Sequence, residues 1–289
     1  MANTPVVVLD DTMTSIANAI RSKTGGSATM TPGQMPAQIA SIPVGTLGIP
    51  REINANGVYG FPAQQFTFSL PSTATDLARN ALLNAFDGCA SLTSVDLSSL
   101  TTVSSWYALS GAFSDCTGLT SVDLSSLTTV SGRYALSKAF DGCSHLTSVD
   151  LGSLTTVSNT NGLEYCFEDC ASLTSVDLSS LTTVSDSYAL YNVFYNCTSL
   201  TSVDLSSLTT VSGPNALNSA FSYCASLSSL SFPALTTSSF GSYTNQFNNM
   251  LKGVTGCTLH FPASTQAKIE TMSGYPNFGG TSTTVLFDL

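Results

Sequence analysis

The chain has 289 residues, of which only 9% are charged, and its formal net charge is −10. An average globular domain has about 25% charged residues. The negative charge argues against nucleic acid and anionic lipid surfaces as partners, because both reward Lys and Arg. The hydrophobic content of 43% argues against disorder. No apolar run approaches the roughly 20 residues of a membrane span.

Residues 1–44 are predicted to form a small helical hairpin. Asp11 caps the first helix, and Thr31 and Gln34 have the spacing of a capping box at the start of the second. Such a hairpin is too small for a stable core of its own, so we expect it to pack against copies of itself or a carrier. Residues 45–60, which contain several Gly and Pro, are predicted to be a linker.

Residues 92–226 are five 27-residue repeats without insertions or deletions. Each repeat begins with Leu-Thr-Ser-Val-Asp-Leu, at Leu92, Leu119, Leu146, Leu173 and Leu200. Residues 61–91 fit the pattern imperfectly and are predicted to form an N-terminal capping coil. Residues 227–289 are predicted to form a degenerate repeat and a C-terminal cap, with a short helix around 264–272. Atypical end units cover the open faces of a stack of repeats.

Each repeat is predicted to contain three short elements. Val95 and Leu97 point inward and Asp96 outward, which is the period of a β-strand. The Thr-rich run that follows predicts a second, shorter extended edge. The spacing i, i+3, i+4, i+7 of a two-turn helix is then met by Leu109, Ala112, Phe113 and Cys116. The expected fold class is an α/β repeat, a solenoid of 27-residue coils that folds only as a stack.

The cysteines follow the repeat. Six of them recur at the same position of successive coils: Cys89, Cys116, Cys143, Cys170, Cys197 and Cys224. A position that recurs once in each coil predicts a small buried side chain rather than a disulfide partner. Cys166 stands where other coils have Ala or Val, so the same prediction applies to it. Disulfides between neighbouring coils are the alternative.

Two features of the repeat carry a family resemblance. One is the pattern A-F-x-x-C-x-x-L, as in residues 112–119; the other is a strand ending in Pro, at Leu70-Pro71, Phe232-Pro233 and Phe261-Pro262. In these features residues 60–289 resemble the BspA-like leucine-rich repeats, although the 27-residue unit is longer than that family's usual one and Leu-Ser-Ser-Leu replaces its Pro-containing turn. The resemblance implies a leucine-rich-repeat solenoid, and the family's surface members are adhesins.

A second resemblance rests on residues 16–25 and on the pattern Met30-Thr31-Pro32-x-x-Met35-Pro36-x-x-Ile39. These residues are similar to a module at the front of tail and fibre proteins of phages and prophages of gut bacteria. The resemblance implies contacts with other tail or baseplate proteins through residues 1–44, and a homo-oligomer for which phage fibres suggest a trimer. It also implies a place in the virion and recognition of a bacterial surface glycan or protein.

Motifs that carry catalysis are missing from the sequence. His145 and His260 have no partner motif, and none of the many serines stands in a nucleophile elbow. No phosphate-binding loop or zinc-ligand spacing is present. We therefore predict that the protein is not an enzyme and uses no cofactor.

The repeat places one aspartate of each coil on the outer face of the predicted sheet: Asp96, Asp123, Asp150, Asp177 and Asp204. One interpretation is a weak site for divalent cations or a cationic ligand. The other is a solvated row that keeps the sheet face from self-association. The surrounding Ser and Thr are poor additional ligands for Ca²⁺, so we assign no metal site.

The outward side chains of the predicted helices differ from coil to coil. The candidate ligand-binding residues among them are Trp106, Tyr107, Arg133, Tyr134, Tyr165, Tyr188, Tyr191, Tyr195 and Tyr223. A surface rich in Tyr, Ser and Asn is typical of antibody paratopes, in which Tyr gives a large contact area at low entropic cost. The alternative is relaxed constraint on a solvated face. Three tyrosines in one coil favour a binding patch.

Three functions follow from these patterns. The first is a phage or prophage tail component that recognises a host surface and is held by residues 1–44. The second is a bacterial surface adhesin, against which stands the start MANTPVVVLDD, which lacks the basic and apolar regions of a signal peptide. The third is a purely structural spacer, which the tyrosine-rich face disfavours.

Overall fold

The computed structural model describes residues 52–53, 59–60, 66–70, 72 and 74–289. The helical hairpin predicted for residues 1–44 lies outside the described residues. Two short strands, β1 (Glu52–Ile53) and β2 (Tyr59–Gly60), pair antiparallel within the stretch predicted to be a linker.

The first strand of each coil contributes to a parallel sheet along the stack. Its strands are β3 (Phe66–Ser69), β4 (Leu92–Asp96), β6 (Ser121–Asp123), β8 (Ser148–Asp150), β10 (Ser175–Asp177) and β12 (Ser202–Asp204). Val95 pairs with Val122, its counterpart in the next coil. Val95 is 2% exposed and Leu97 is fully buried, whereas Asp96 is exposed. The predicted inward and outward alternation is confirmed.

The Thr-rich edge forms a second parallel sheet. Its strands are β5 (Thr102–Val103), β7 (Thr129–Val130), β9 (Thr156–Val157), β11 (Thr183–Val184) and β13 (Thr210–Val211). The predicted extended edge is therefore confirmed. Threonine hydroxyls strengthen this sheet, because Thr128 Oγ1 donates to the Thr101 carbonyl oxygen of the preceding coil at 2.9 Å.

The C-terminal end is closed by three parallel strands, β14 (Ser229–Ser231), β15 (Thr258–His260) and β16 (Thr284–Leu286). The predicted helix around 264–272 is shorter than expected. It consists of a 3₁₀ turn at Ala263–Thr265 followed by one α-helical turn, α1 (Gln266–Ile269). A second 3₁₀ turn lies at Thr237–Ser239.

The third element of each coil is not the predicted two-turn helix. It is a chain of tight turns, here called a turn segment, at residues 79–88, 106–115, 133–142, 160–169, 187–196 and 214–223. Ala112 N donates to Leu109 O three residues back, at 3.0 Å. Leu109 N instead donates to Ala135 O of the next coil, at 2.8 Å. Backbone groups that a helix would satisfy internally thus bind one coil to the next.

The backbone of the turn segments explains why they are not helices. Every fourth residue has a positive φ, as in Tyr107 (56°), Gly111 (60°) and Asp115 (53°). A left-handed residue ends a right-handed helix, because L-residues cannot propagate that conformation. The buried side chains accordingly recur with a period of four, as the pairs Ala108-Leu109 and Ala112-Phe113. A period of four also fits the i, i+3, i+4, i+7 template, which is why the helix prediction was wrong.

The core consists of side chains stacked from coil to coil. Phe113 stacks on Phe140 with centroids 5.4 Å apart and an interplanar angle of 6°. Beside this ladder, Cys143 Sγ donates to Phe113 O at 3.2 Å. All eight cysteines are free and buried, as predicted. In the five regular coils the recurring cysteine donates to a phenylalanine carbonyl of the preceding coil. This bond was not predicted, and it explains why a thiol rather than a methyl group recurs at this position.

Candidate recognition surface

The outward side chains of the turn segments form one continuous surface, here called the turn face. It contains all nine candidate residues selected from the sequence: Trp106, Tyr107, Arg133, Tyr134, Tyr165, Tyr188, Tyr191, Tyr195 and Tyr223. Five of them, Tyr107, Tyr134, Tyr165, Tyr188 and Tyr223, have a positive φ. The left-handed backbone therefore sets the direction in which these side chains leave the coil.

Variation between coils is greatest on the outward side of the turn segments. One buried position is leucine in every regular coil: Leu109, Leu136, Leu163, Leu190 and Leu217. One outward position instead reads Trp106, Arg133, Thr160, Ser187 and Pro214. The largest differences that a ligand can distinguish along the stack therefore lie on the turn face.

Tyrosines at the middle and C-terminal part of the turn face contact one another edge to face. Tyr191 lies 5.3 Å from Tyr165 and 5.3 Å from Tyr188, between ring centroids. Further along, Tyr195 lies 5.2 Å from Tyr223. Tyr188 (38%) and Tyr223 (36%) are exposed, whereas the others are partly buried. Of the three tyrosines in one coil, only Tyr188 is thus as exposed as the sequence suggested.

A second aromatic group occupies the N-terminal part of the turn face. Trp106 is 45% exposed and lies next to Arg79 and Arg133 of the two neighbouring coils. Tyr107 stacks on Tyr134 with centroids 5.0 Å apart and an interplanar angle of 6°. Both rings are partly buried, and aromatic contacts of this kind are favourable beyond the area that they bury.

Carboxyl groups lie between the tyrosines of the middle coils. Lys138 Nζ is 3.4 Å from Asp141 Oδ2 and 3.9 Å from Glu168 Oε2, and it lies 5.0 Å from the Tyr165 ring centroid. Burial, followed by the nearby Asp141 carboxyl, raises the pKa of Glu168 to about 7. Burial also raises the pKa of Tyr165 to about 12. At neutral pH the phenol of Tyr165 therefore keeps its proton and is a potential hydrogen-bond donor.

The aspartate row lies on the first sheet, away from the turn face, and each aspartate binds the turn that follows it. The main-chain N–H groups of the residues two positions on, Ser98, Ser125, Gly152, Ser179 and Ser206, donate to Oδ1 of the aspartates. Hydrogen bonds from the hydroxyl and the main-chain N–H of Ser98 lower the pKa of Asp96. Those from the main-chain N–H and the hydroxyl of Ser179 lower the pKa of Asp177. Within the described residues, no group of three His, Cys, Asp or Glu is placed to hold a metal ion.

The two histidines have local partners. His145 is exposed, and its Nδ1 lies 2.6 Å from the Thr117 carbonyl oxygen of the preceding coil. His260 Nδ1 lies 3.0 Å from Asp288 Oδ2 near the C-terminus. The second pairing was not predicted, because Asp288 follows β16 in a segment that the repeat pattern does not cover.

The family model of the BspA-type leucine-rich repeat region matches the chain in six copies, over residues 57–157 and 110–252. The chain belongs to this family. The expectation from the A-F-x-x-C-x-x-L pattern is therefore confirmed. No curated protein sequence is significantly similar to this BspA-type chain.

Three solved structures match the BspA-type chain over much of its length, at low identity and with TM-scores below 0.5. A leucine-rich repeat protein of T. pallidum is 19% identical, with a TM-score of 0.44, and the match covers 82% of this chain and 96% of that one. An internalin of Listeria monocytogenes is 14% identical, with a TM-score of 0.27, over 76% and 62% of the two chains. A leucine-rich cell surface protein of Faecalibacterium prausnitzii is 14% identical, with a TM-score of 0.25, over 84% and 86%.

Arg79 is the member of the turn face that the sequence analysis missed. It lies in residues 61–91, where the repeat is degenerate and hard to align. Its signal was present, because Arg79 stands one full repeat before Trp106 and thus at the same position of the coil. Lys138, Asp141 and Glu168 were also missed as a group, since only the turn geometry places them side by side.

In the described part of the chain, no helix is long and apolar enough to cross a membrane.

Proposed function

We propose that this BspA-type protein is a non-enzymatic recognition protein that attaches to a bacterial surface glycan or protein through its turn face. The observation that carries the proposal is the contrast between the two sides of the turn segments. The buried side is nearly constant from coil to coil, whereas the outward side changes and contains Trp106, Tyr188 and Tyr223, all at least 36% exposed. Tyr, Trp and Arg typically dominate binding energy at interfaces.

The finer proposal is that the protein is a phage or prophage tail component located in the virion. Its support is the similarity of residues 1–44 to modules of tail and fibre proteins. Through these residues the protein would bind other tail or baseplate proteins and form a homo-oligomer, for which we propose a trimer. The second candidate is a bacterial surface adhesin located outside the cell, which membership of the BspA-type family favours. A purely structural spacer does not require exposed aromatic side chains that differ between coils, so the turn face disfavours this third function.

Particle fractionation separates the two candidates. An antibody against the repeats is used to follow the protein through density-gradient separation of a producing culture. Co-migration with virions or tail particles supports the tail proposal. Recovery in the washed cell envelope, with none in particles, excludes it and supports the adhesin.

Replacing Tyr188, Tyr191 and Tyr195 together with Ser tests the turn face. These side chains lie outside the buried set of the same coil, so we expect circular dichroism to show an intact fold. The variant should attach to target cells at least tenfold more weakly, which corresponds to about 1.4 kcal/mol. The measurement is the apparent dissociation constant of labelled protein on cells.

The matched control is Asp150→Asn with Asp177→Asn on the first sheet. Asparagine keeps the Oδ1 acceptor that receives the N–H of Gly152 and Ser179, so the turns should persist. Attachment should be nearly unchanged. If this control loses attachment and the tyrosine variant does not, recognition lies on the sheet face and the proposal is inverted.

A further inference from the structure

Three residues of successive coils form a column at the N-terminal part of the turn face. Arg79, Trp106 and Arg133 occupy the same position of three successive coils. The guanidinium carbon of Arg79 lies 4.8 Å from the Trp106 ring centroid, and that of Arg133 lies 5.9 Å from it. We call these residues the Arg-Trp-Arg column. Stacking on the indole holds both guanidinium groups in place at the surface.

The column is a local concentration of positive charge on an acidic protein. The described residues include five basic side chains: Arg79, Arg133, Lys138, Lys252 and Lys268. Two of these five belong to the column, whereas the whole chain has a net charge of −10. Placing both on one exposed indole is unfavourable for the free protein, because like charges two strand spacings, about 10 Å, apart repel each other.

Neither arginine of the column is neutralised by a neighbouring acid. Among the described residues, no carboxylate lies within 4.0 Å of either guanidinium group, whereas Lys138 has two such neighbours. Asp76, three residues before Arg79, is already bound, because both the main-chain N–H and the hydroxyl of Ser104 donate to it. The donors of both guanidinium groups are thus available to an external anion.

Aromatic surface adjoins these donors. Trp106 is 45% exposed, and the stacked pair Tyr107 and Tyr134 follows at the next position of the coils. Arg133 also lies 5.2 Å from the Tyr134 ring centroid. The site therefore combines forked donors suited to carboxylate or phosphate with flat apolar surface suited to the C–H faces of a sugar ring.

We propose that the Arg-Trp-Arg column binds the anionic groups of an acidic surface polysaccharide, either the carboxylates of sugar acids or phosphodiesters between sugars. This inference rests on the proposed function and names the ligand chemistry of its N-terminal part. A nucleic acid fits poorly, since it carries about one charge per 1.7 Å and rewards many cations along a groove. Two arginines on an otherwise acidic protein suit a polymer whose charges are spaced by at least one sugar ring.

The test uses the full-length protein and three purified probes: oligogalacturonate for carboxylates, phosphomannan for phosphodiesters and dextran as the neutral polymer. Binding is measured by biolayer interferometry at low and physiological salt. We expect binding to at least one anionic probe, weakening with salt, and none to dextran. The probe that binds identifies the anion. Absence of binding to both anionic probes, or equal binding to dextran, overturns the proposal.

The variant Arg79→Gln with Arg133→Gln should reduce affinity for the anionic probe at least tenfold. Both side chains are exposed, so the fold should persist. The matched control, Lys252→Gln with Lys268→Gln, removes the same charge at residues outside the six turn segments and should change affinity less than twofold. The variant Arg79→Lys with Arg133→Lys keeps the charge but loses the forked donors of the guanidinium group. Its affinity for the anionic probe should therefore lie between those of the two Gln variants. An equal loss in both Gln variants shows bulk charge alone and overturns the site.

Failure of this inference is distinct from failure of the proposed function. If no anionic polymer binds while the tyrosine variant still loses cell attachment, the turn face recognises another ligand and only the column is wrong. If attachment is independent of the tyrosines and of the column, the proposed function itself fails.

Discussion

At the scale of single residues, the aspartate row shows how a constant exposed residue can have a structural cause. Each aspartate closes the turn after its strand by accepting the N–H two residues on, at 2.9–3.0 Å. Neither the cation interpretation nor the solvated-row interpretation included this bond. The signal was the small residue that follows two positions later in every coil, Ser or Gly. Asp favours such turns because its side chain binds the nearby backbone.

Glu168 provides a test of the electrostatics of the turn face. Its pKa of about 7 in the folded protein lies above its ordinary value of 4.5, because burial and the Asp141 carboxyl penalise the charged form. The folded protein therefore binds the proton more tightly than the unfolded chain. This contribution to stability is complete below pH 4.5 and is lost as the pH rises through about 7. We expect Glu168→Gln to raise the melting temperature at pH 8 and to flatten its decline across this window.

The control for this prediction is Asp177→Asn, whose effect has the opposite sign. Hydrogen bonds from Ser179 lower the pKa of Asp177 below its ordinary value of 3.8, so its stabilisation is present above that value and lost at lower pH. The substitution should therefore lower stability at neutral and higher pH, and the difference from wild type should disappear as the pH falls below 3.8. Parallel curves for wild type and Glu168→Gln between pH 4.5 and 7 would show that the Glu168 carboxyl is not perturbed.

At the scale of elements, the two strands of each coil could be predicted and the turn segment could not. The strands follow from the alternation of Val95, Asp96 and Leu97, because a period of two has no competing interpretation. The turn segment has a period of four, which a two-turn window cannot distinguish from 3.6. The distinguishing signal lies in residues that tolerate a left-handed backbone at every fourth position, as in Asn80, Asn84 and Gly88. Tyr and Lys at the same position of other coils obscure it.

Two glycine substitutions discriminate between the turn segment and a helix. Ser219 has a φ of 56°, so Ser219→Gly relieves backbone strain and should stabilise the protein by about 0.5–1 kcal/mol. Ser110 lies in the same segment of another coil but has no positive φ, so Ser110→Gly should destabilise by about 0.5–1 kcal/mol. Urea unfolding measures both. In a helix both substitutions would destabilise the protein. A decrease of similar size in the free energy of unfolding of both variants would therefore contradict the turn geometry.

At the scale of the whole molecule, three hydrogen-bonded ladders join each coil to the next. They are the first sheet, the second sheet and the bonds between turn segments, such as Phe113 N to Ala139 O at 2.9 Å. The uninterrupted 27-residue repeat was enough to predict a stack and the residues that face its core. The binding chemistry could not be predicted in the same way. Which outward residues meet across coils, such as Arg79 and Trp106, depends on the direction set by the turns.

A stack of this kind should tolerate the loss of one whole coil. Deleting residues 146–172 joins two regular coils in register, so Val122 can pair with Val176 and Phe140 can stack on Phe194. Because each coil contacts mainly its neighbours, stability is close to a sum of coil and interface contributions. We expect a folded protein with one cooperative transition and a melting temperature reduced by about 2–4 °C for each kcal/mol lost.

The matched control deletes residues 146–159, about half of a coil. Two turn segments then follow each other with no strands between them, so both sheets are interrupted and hydrogen-bond acceptors such as Cys166 O are displaced from their donors. This variant should lose near-ultraviolet circular dichroism and cooperative melting, because its buried backbone groups have no partners. If the whole-coil deletion unfolds to the same extent as the half-coil deletion, stability depends on contacts beyond neighbouring coils, and the ladders described above do not account for the fold.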